Sequence, residues 1–187
     1  MVLLIDNYDS FSYILFQYLK EISDILVIQN DEPLPASYLS RISSVVLSPG
    51  PGLPQTSGRL IEYTNYFLGK LPVLGVCLGH QTIAQIAGAE LIQTKEIFHG
   101  RTSQVMHQGI GIFRNIPSPF VANRYHSWAV SSNKLPKELE VLAESEDGVI
   151  MGFRHRKYKN TYGVQFHPES ILTEHGKTLL SNFCKGF

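Results

Sequence analysis

Two segments of the sequence carry residue types that together can break an acyl bond. The first is Gly75-Val76-Cys77-Leu78-Gly79-His80-Gln81. An apolar run ends there, one reactive side chain follows, and a helix-like pattern begins. Gly75 and Gly79 stand two residues either side of Cys77. That is the pattern of a nucleophile elbow, in which small neighbours let the chain turn sharply and present the nucleophile. A helix starting at Leu78 aims its free N–H groups and positive end at the sulfur, which favours thiolate. Most cysteines are small buried apolar residues instead; the flanking glycines favour the reactive reading. The second segment is Gly163-Val164-Gln165-Phe166-His167-Pro168-Glu169-Ser170. His167 follows a strand-like run, Pro168 stiffens the link, and Glu169 is near enough in sequence to hold the imidazole in one tautomer. Thiol, base and orienting carboxylate form a triad. Read alone, His167-Pro168-Glu169 is a polar turn leading into the last helix. An elbow cysteine on another strand end gives it a partner.

Acyl transfer also needs an oxyanion hole, commonly two backbone N–H groups. The N–H of Leu78 is one candidate. The loop Ser48-Pro49-Gly50-Pro51-Gly52 is the other, because glycine lets backbone approach a ligand closely; its plainer reading is a turn between strand and helix. It lacks the Lys-Ser/Thr ending of a phosphate-binding loop. Of the seven histidines, His80 reads as support for the elbow or as packing, and His126 as a pocket residue. His99, His107, His155 and His175 read as surface or loop. Cys184 reads as an unreactive residue on the side of the last helix. No zinc-site spacing is present, and neither a metal nor another cofactor is expected.

The elements that must hold these groups follow from periodicity. Residues 2–5, 25–28, 45–47 and 73–76 form short apolar runs, read as strands buried on both faces. Ser10 is a plausible helix N-cap, followed by Phe11, Ile14, Leu15, Tyr18, Leu19 and Ile22 at helical spacing. Further helices are expected near 58–68 and 78–87. This alternation predicts a parallel sheet with helical crossovers. From residue 89 the character changes. Short strand-like runs at 90–93, 102–106, 128–131, 140–143, 149–153 and 162–164 suggest added antiparallel material, and a helix near 174–184 closes the chain. The expected fold class is α/β: a mostly parallel central sheet with flanking helices, plus a smaller antiparallel sheet in the second half. A single domain over 1–187 is expected.

Composition bounds the function. The chain has 187 residues, of which 43% are apolar and 11% aromatic, too many for a disordered protein. Sixteen basic residues balance sixteen acidic ones, which argues against nucleic acid as a partner. The apolar start stops at Asp6, short of the ~20 residues of a spanning helix, and has neither a basic start nor a cleavage-like site. No membrane association is expected. Two cysteines make no disulfide framework, so cytoplasmic residence is the default. Charged residues are only 17% of the chain, against about 25% in an ordinary domain.

The two chemical segments closely resemble those of the class I, triad-type glutamine amidotransferases. The opening Asp6-Asn7-Tyr8-Asp9-Ser10-Phe11 and the loop Ser48 to Gly52 narrow the likeness. They are similar to the small glutaminase subunits of anthranilate synthase and aminodeoxychorismate synthase, over essentially the whole chain. The resemblance implies a flavodoxin-like fold with Cys77, His167 and Glu169 as catalytic residues. It implies that the N–H groups of Gly52 and Leu78 hold the oxyanion, and that Gly50, Gly52, Gln81, Ser127 and Trp128 contact L-glutamine. It implies that ammonia passes to a chorismate-binding synthase subunit. Trp128 departs from the pattern, which usually has leucine after Tyr-His-Ser. The His99-Gly100 and Ser103 segment resembles a loop near the subunit contact and otherwise reads as an exposed hairpin. An alternative enzyme is a stand-alone cysteine hydrolase of related fold acting on γ-glutamyl substrates. A non-enzymatic module that kept the fold is a third reading, disfavoured by the intact triad. A close, dry subunit interface would explain the low charge, since interface cores are poor in charge and rich in aromatics; residues 8–11 and 99–103 are where it is expected.

Overall fold

The computed structural model describes residues 1–186. Its elements run β1 (Val2–Asp6), α1 (Ser12–Lys20), β2 (Ile25–Gln29), β3 (Ser44–Leu47), α2 (Leu60–Phe67), β4 (Val73–Val76), α3 (Leu78–Ile86), β5 (Leu91–His107), β6 (Phe120–Val130), β7 (Leu139–Ser145), β8 (Ile150–His155), β9 (Thr161–Val164) and α4 (Gly176–Lys185). The strands form one nine-stranded sheet in the order β2-β1-β3-β4-β9-β8-β7-β5-β6. From β2 to β9 every pairing is parallel. From β9 to β6 every pairing is antiparallel.

The α/β class is as expected, but the arrangement needs correction. The antiparallel strands are not a second sheet, and the sheet is not mostly parallel. β9 bonds to β4 on one side and to β8 on the other, so the two halves share one ladder. A strand with unpaired edge groups is a liability, and the antiparallel strands cover that edge of the parallel half.

The parallel strands are apolar throughout because both faces are covered. Val2 and Leu4 of β1 point to a cluster with Leu15 and Leu19 of α1 and Leu179, Leu180 and Phe183 of α4. Leu3 and Ile5 point to the opposite cluster with Leu60 and Phe67 of α2 and Ile83 of α3. Period-two alternation thus assigns each residue to one of two helical layers. Each such side chain taken out of water contributes about 1.5–3 kcal/mol.

Two local expectations also change. Ser10 does not cap α1; the Asp9 carboxylate accepts the Phe11 N–H at 2.7 Å, and the helix starts at Ser12. The separate runs at 90–93 and 102–106 are one strand, β5, broken by register shifts between Gln93 and Phe98 and between His99 and Arg101. Such bulges interrupt the alternation on which strand recognition relies.

Candidate active site

Cys77 sits between the last residue of β4 and the first of α3. Its backbone has φ 51° and ψ −99°, a conformation that L-residues seldom adopt and that persists only where the surroundings enforce it. The Cys77 N–H donates to Val164 O at 2.8 Å, and the Gln81 N–H donates to Cys77 O at 3.0 Å. Strand ladder and helix therefore grip the residue from both sides. The turn is tight enough that a methyl group on Gly75 would strike the Gly79 carbonyl, and one on Gly79 would lie 2.6 Å from Leu47 Cβ. This close approach is why glycine stands two residues either side of the thiol.

His167 lies three residues beyond β9, the strand parallel to β4 and next to it. The imidazole is buried, and its Nδ1 lies 2.7 Å from Glu169 Oε1. A carboxylate only accepts, so Nδ1 carries the proton and Nε2 is left towards the thiol. Nε2 makes no hydrogen bond of good geometry among the described residues and adjoins the Cys77 thiol. Burial pulls the His167 pKa down, but the charge of Glu169, the adjoining Cys77 thiol and the hydrogen bond to Glu169 together hold it well above the ordinary histidine value. The site thus favours imidazolium beside the sulfur. Phe11 and Tyr125 close on the ring edge-on, with centroids 5.4 and 5.3 Å away. The turn carrying His167 is tied to β6: its N–H donates to Asn123 O at 3.1 Å and its carbonyl accepts from Thr173 Oγ1 at 2.6 Å.

The thiol has two further polar neighbours. Its sulfur lies 3.7 Å from Tyr125 O, and Gln165 Nε2 lies 3.6 Å from the sulfur. Gln81 Nε2 donates to Trp128 O at 2.9 Å and to Gln165 Oε1 at 3.2 Å. The structure therefore joins Gln81 and Trp128, and the link to Trp128 is through its carbonyl. Ser127 lies half-buried on β6 between His126 and Trp128. The Ser48–Gly52 loop is held down by Asn7, whose N–H donates to Ser48 Oγ at 2.9 Å and whose Nδ2 donates to Ser48 O at 2.8 Å. A methyl on Gly50 would fall 2.8 Å from Leu78 Cδ2, so the loop abuts the start of α3. Leu78 is the first residue of that helix, where N–H groups have no intrahelical acceptor. Gly52 is exposed, with φ 78°.

The remaining histidines divide as follows. His80 is fully buried against Phe153, centroids 4.5 Å apart, and burial pushes its pKa down to about 3. This is packing. His126 is buried on β6, where Arg124 Nε lies 3.1 Å from its Nε2 and Trp128 O lies 3.0 Å from its Nδ1. His155, expected at the surface or in a loop, is buried at the end of β8, its Nδ1 accepting the N–H groups of Lys157 and Tyr158. Burial pushes the Cys184 thiol up to about 11, so it is protonated at neutral pH. Sequence reasoning assigned no part to Gln165, Asn7, Arg124 or the Tyr125 carbonyl. For Gln165 a signal was available, a polar residue two before His167 at a buried strand end; for a backbone carbonyl there is none.

The family model described as "Glutamine amidotransferase class-I" matches residues 3–187. The chain is 48% identical over 185 residues to aminodeoxychorismate synthase component 2 of Klebsiella aerogenes, covering 98% of each chain. It is 45% identical over 185 residues to anthranilate synthase component 2 of Cyanophora paradoxa, covering 98% of this chain and 97% of that one. The crystal structure of a glutamine amidotransferase from Thermotoga maritima superposes with a TM-score of 0.79 over 98% of this chain and 96% of that one. At 21% identity that likeness bears on the fold alone. The match over nearly the whole length, with relatives of this similarity, settles the family: the chain belongs to the class-I glutamine amidotransferases.

Proposed function

We propose that this chain is the glutaminase component of a chorismate-aminating synthase, built as a single amidotransferase domain over 1–187 and working in the cytoplasm. Cys77 Sγ attacks the side-chain amide carbon of L-glutamine. His167 Nε2 takes the thiol proton and gives it to the departing ammonia, a step worth about 100- to 10,000-fold. Glu169 holds the imidazole in the Nδ1–H tautomer and stabilises its charge. The N–H groups of Gly52 and Leu78 receive the oxyanion, each such donor being worth about 3–4 kcal/mol. Water, activated by His167, then cleaves the glutamyl thioester and releases glutamate. Gly50, Gly52, Gln81, Ser127 and the Trp128 backbone form the glutamine site. Trp128 is tied to Gln81 through its carbonyl and not its side chain, which accommodates tryptophan at a position where leucine is usual.

The observation that carries this reading is the buried Nδ1–Glu169 contact at 2.7 Å, which leaves Nε2 for a thiol on the neighbouring strand end. The partner surface is proposed over the catalytic imidazole. His99 packs edge-on against Tyr125 with centroids 5.3 Å apart, and Tyr125 meets Phe11 at 4.9 Å. The segments at 8–11 and 99–103 are thus neighbours. Tyr8 in the first segment, Ile97 two residues before the second, and Ile171 and Leu172 beyond Glu169 lie exposed, an apolar set of the kind subunit interfaces cover. The test is to titrate the purified protein with a chorismate-binding synthase subunit, following glutamate release and the aminated product. Both should rise together to a stoichiometric end point. Glutamine hydrolysis indifferent to every such subunit would favour the stand-alone hydrolase instead.

A further inference from the structure

Behind the glutamine site runs an unbroken series of polar contacts whose far end, Arg124 and His126, the mechanism above does not use. It begins at Arg124, whose side chain is wholly buried. Arg124 Nη1 donates to Ser103 Oγ at 3.0 Å and to both oxygens of Asp147 at 3.0 and 3.1 Å. The guanidinium carbon lies 3.5 Å from the centre of the Phe98 ring. β5, β6 and the β7–β8 turn are pinned together at this one group. With Phe98, Ser103 and Asp147 it lines a cavity of about 690 Å³. From Arg124 the series passes to His126, then to Trp128 O, Gln81, Gln165 and the Cys77 sulfur.

The direction of these bonds fixes the state of His126. Guanidinium N–H groups only donate, so His126 Nε2 accepts from Arg124. Nδ1 therefore carries the proton and donates to Trp128 O. That carbonyl receives a second donor from Gln81, so both of its lone pairs are used and its direction is set. Burial, and next the charge of Arg124, hold the His126 pKa down to about 3, against the opposing pull of the Trp128 carbonyl; His167 and Asp147 are the other charged groups that it senses. The ring stays neutral over the working pH range.

We propose that His126 and Arg124 are positioning residues for the amidotransferase reaction: Arg124 locks the His126 tautomer, and His126 orients the Trp128 carbonyl and, through Gln81, the glutamine site beside Cys77. The inference rests on the reading of the site given under Proposed function. It deepens that reading by assigning work to two residues that touch neither substrate nor sulfur.

The test compares H126F, which keeps the ring and its packing on Phe98 but loses the donor, with H126N, which restores a donor near the Nδ1 position. Glutamine turnover is measured for each in the presence of the synthase subunit. H126F should raise the KM for glutamine about 3- to 10-fold, the value of one neutral hydrogen bond, with kcat changed by less than about twofold. H126N should recover most of that loss. A purely structural role predicts equal losses in both variants, in proportion to the unfolded fraction and with KM unchanged; that result overturns the proposal. Histidine nitrogen resonances of the wild type supply a reading independent of variant folding. His126 should appear as the neutral Nδ1–H tautomer, and the Nε2–H tautomer would overturn the assignment. A wild type that turns over no glutamine overturns the underlying reading and this one with it. An active wild type with an unaffected H126F overturns this one alone.

Discussion

Glu169→Gln isolates what the carboxylate does to the base. The substitution keeps shape and removes charge from a group that is wholly buried and 2.7 Å from His167 Nδ1. A hydrogen bond to a charged partner is worth about 1.5–3 kcal/mol. At about 1.4 kcal/mol per unit, its loss alone lowers the His167 pKa by roughly 1–2 units. Burial, already pulling downward, is then opposed only by the adjoining Cys77 thiol. Burial has that effect on His80, whose pKa it pushes down to about 3. His167 in the variant should therefore fall below its ordinary value of about 6.5. The sign follows. A raised imidazole pKa keeps His167 as imidazolium, the acid that protonates the departing ammonia, through neutral pH, and that form is lost only as pH rises through the raised value. In the variant the loss comes earlier, so the alkaline limb of kcat/KM should move to lower pH by at least about 1–2 units. Activity at neutral pH should drop about 10- to 100-fold. The assay is glutamate release, with the synthase subunit present, from about pH 5 to about pH 10. An alkaline limb that stays in place while the rate falls would refute the electrostatic role and leave Glu169 only a geometric one. An unchanged rate would refute both.

Other expectations concern the same machinery. Cys77→Ser should abolish glutamine-dependent synthesis while leaving synthesis from free ammonia by the partner; loss of both would make Cys77 structural. Glu169→Ala should cost less glutaminase activity than His167→Ala or Cys77→Ser, because orienting a base is a smaller contribution than attack or proton transfer; equal losses would contradict those roles. Gly75→Ala drives a methyl into the Gly79 carbonyl. Overpacking of about 1–3 kcal/mol should lower the thermal midpoint by roughly 2–12 °C and greatly reduce glutaminase activity, whereas an unchanged midpoint would mean that the elbow has room to spare.

The parts of the fold carried by short-range pattern were legible in the sequence. β4 is found at the residues expected, and α3 begins at Leu78 as expected and ends one residue early at Ile86; glycine spacing and apolar runs are local signals. β6 was legible only at its end. It runs from Phe120 to Val130, and Asn123, Arg124 and His126 within it are all buried. Charged residues are almost never fully buried unless paired, so a sequence shows such a stretch as surface. Arg124 is inside because Asp147, Ser103 and Phe98 meet it there, three partners distant along the chain. Cys77, His167 and Glu169 stood out as a candidate set because of their flanking glycines and spacing, and the structure sets His167 beside both Glu169 and Cys77. The hydrogen bonds around them were not legible, since tertiary contact alone decides which carbonyl faces a side chain. The continuity of the sheet was hidden for the same reason, the β8–β9 pairing being a property of register.

That register has a consequence for the folding chain. Val76 pairs with Val164, and the Cys77 N–H closes the ladder on Val164 O. The separation of thiol and imidazole is therefore measured out by two adjacent strands, as on a ruler. Sliding β9 by one residue turns every side chain to the wrong face. Sliding it by two carries His167 about 6.6 Å along the strand direction, out of reach of the sulfur. A chain that has paired these strands wrongly is silent, so ammonia is released only by molecules whose central sheet has assembled in the correct alignment.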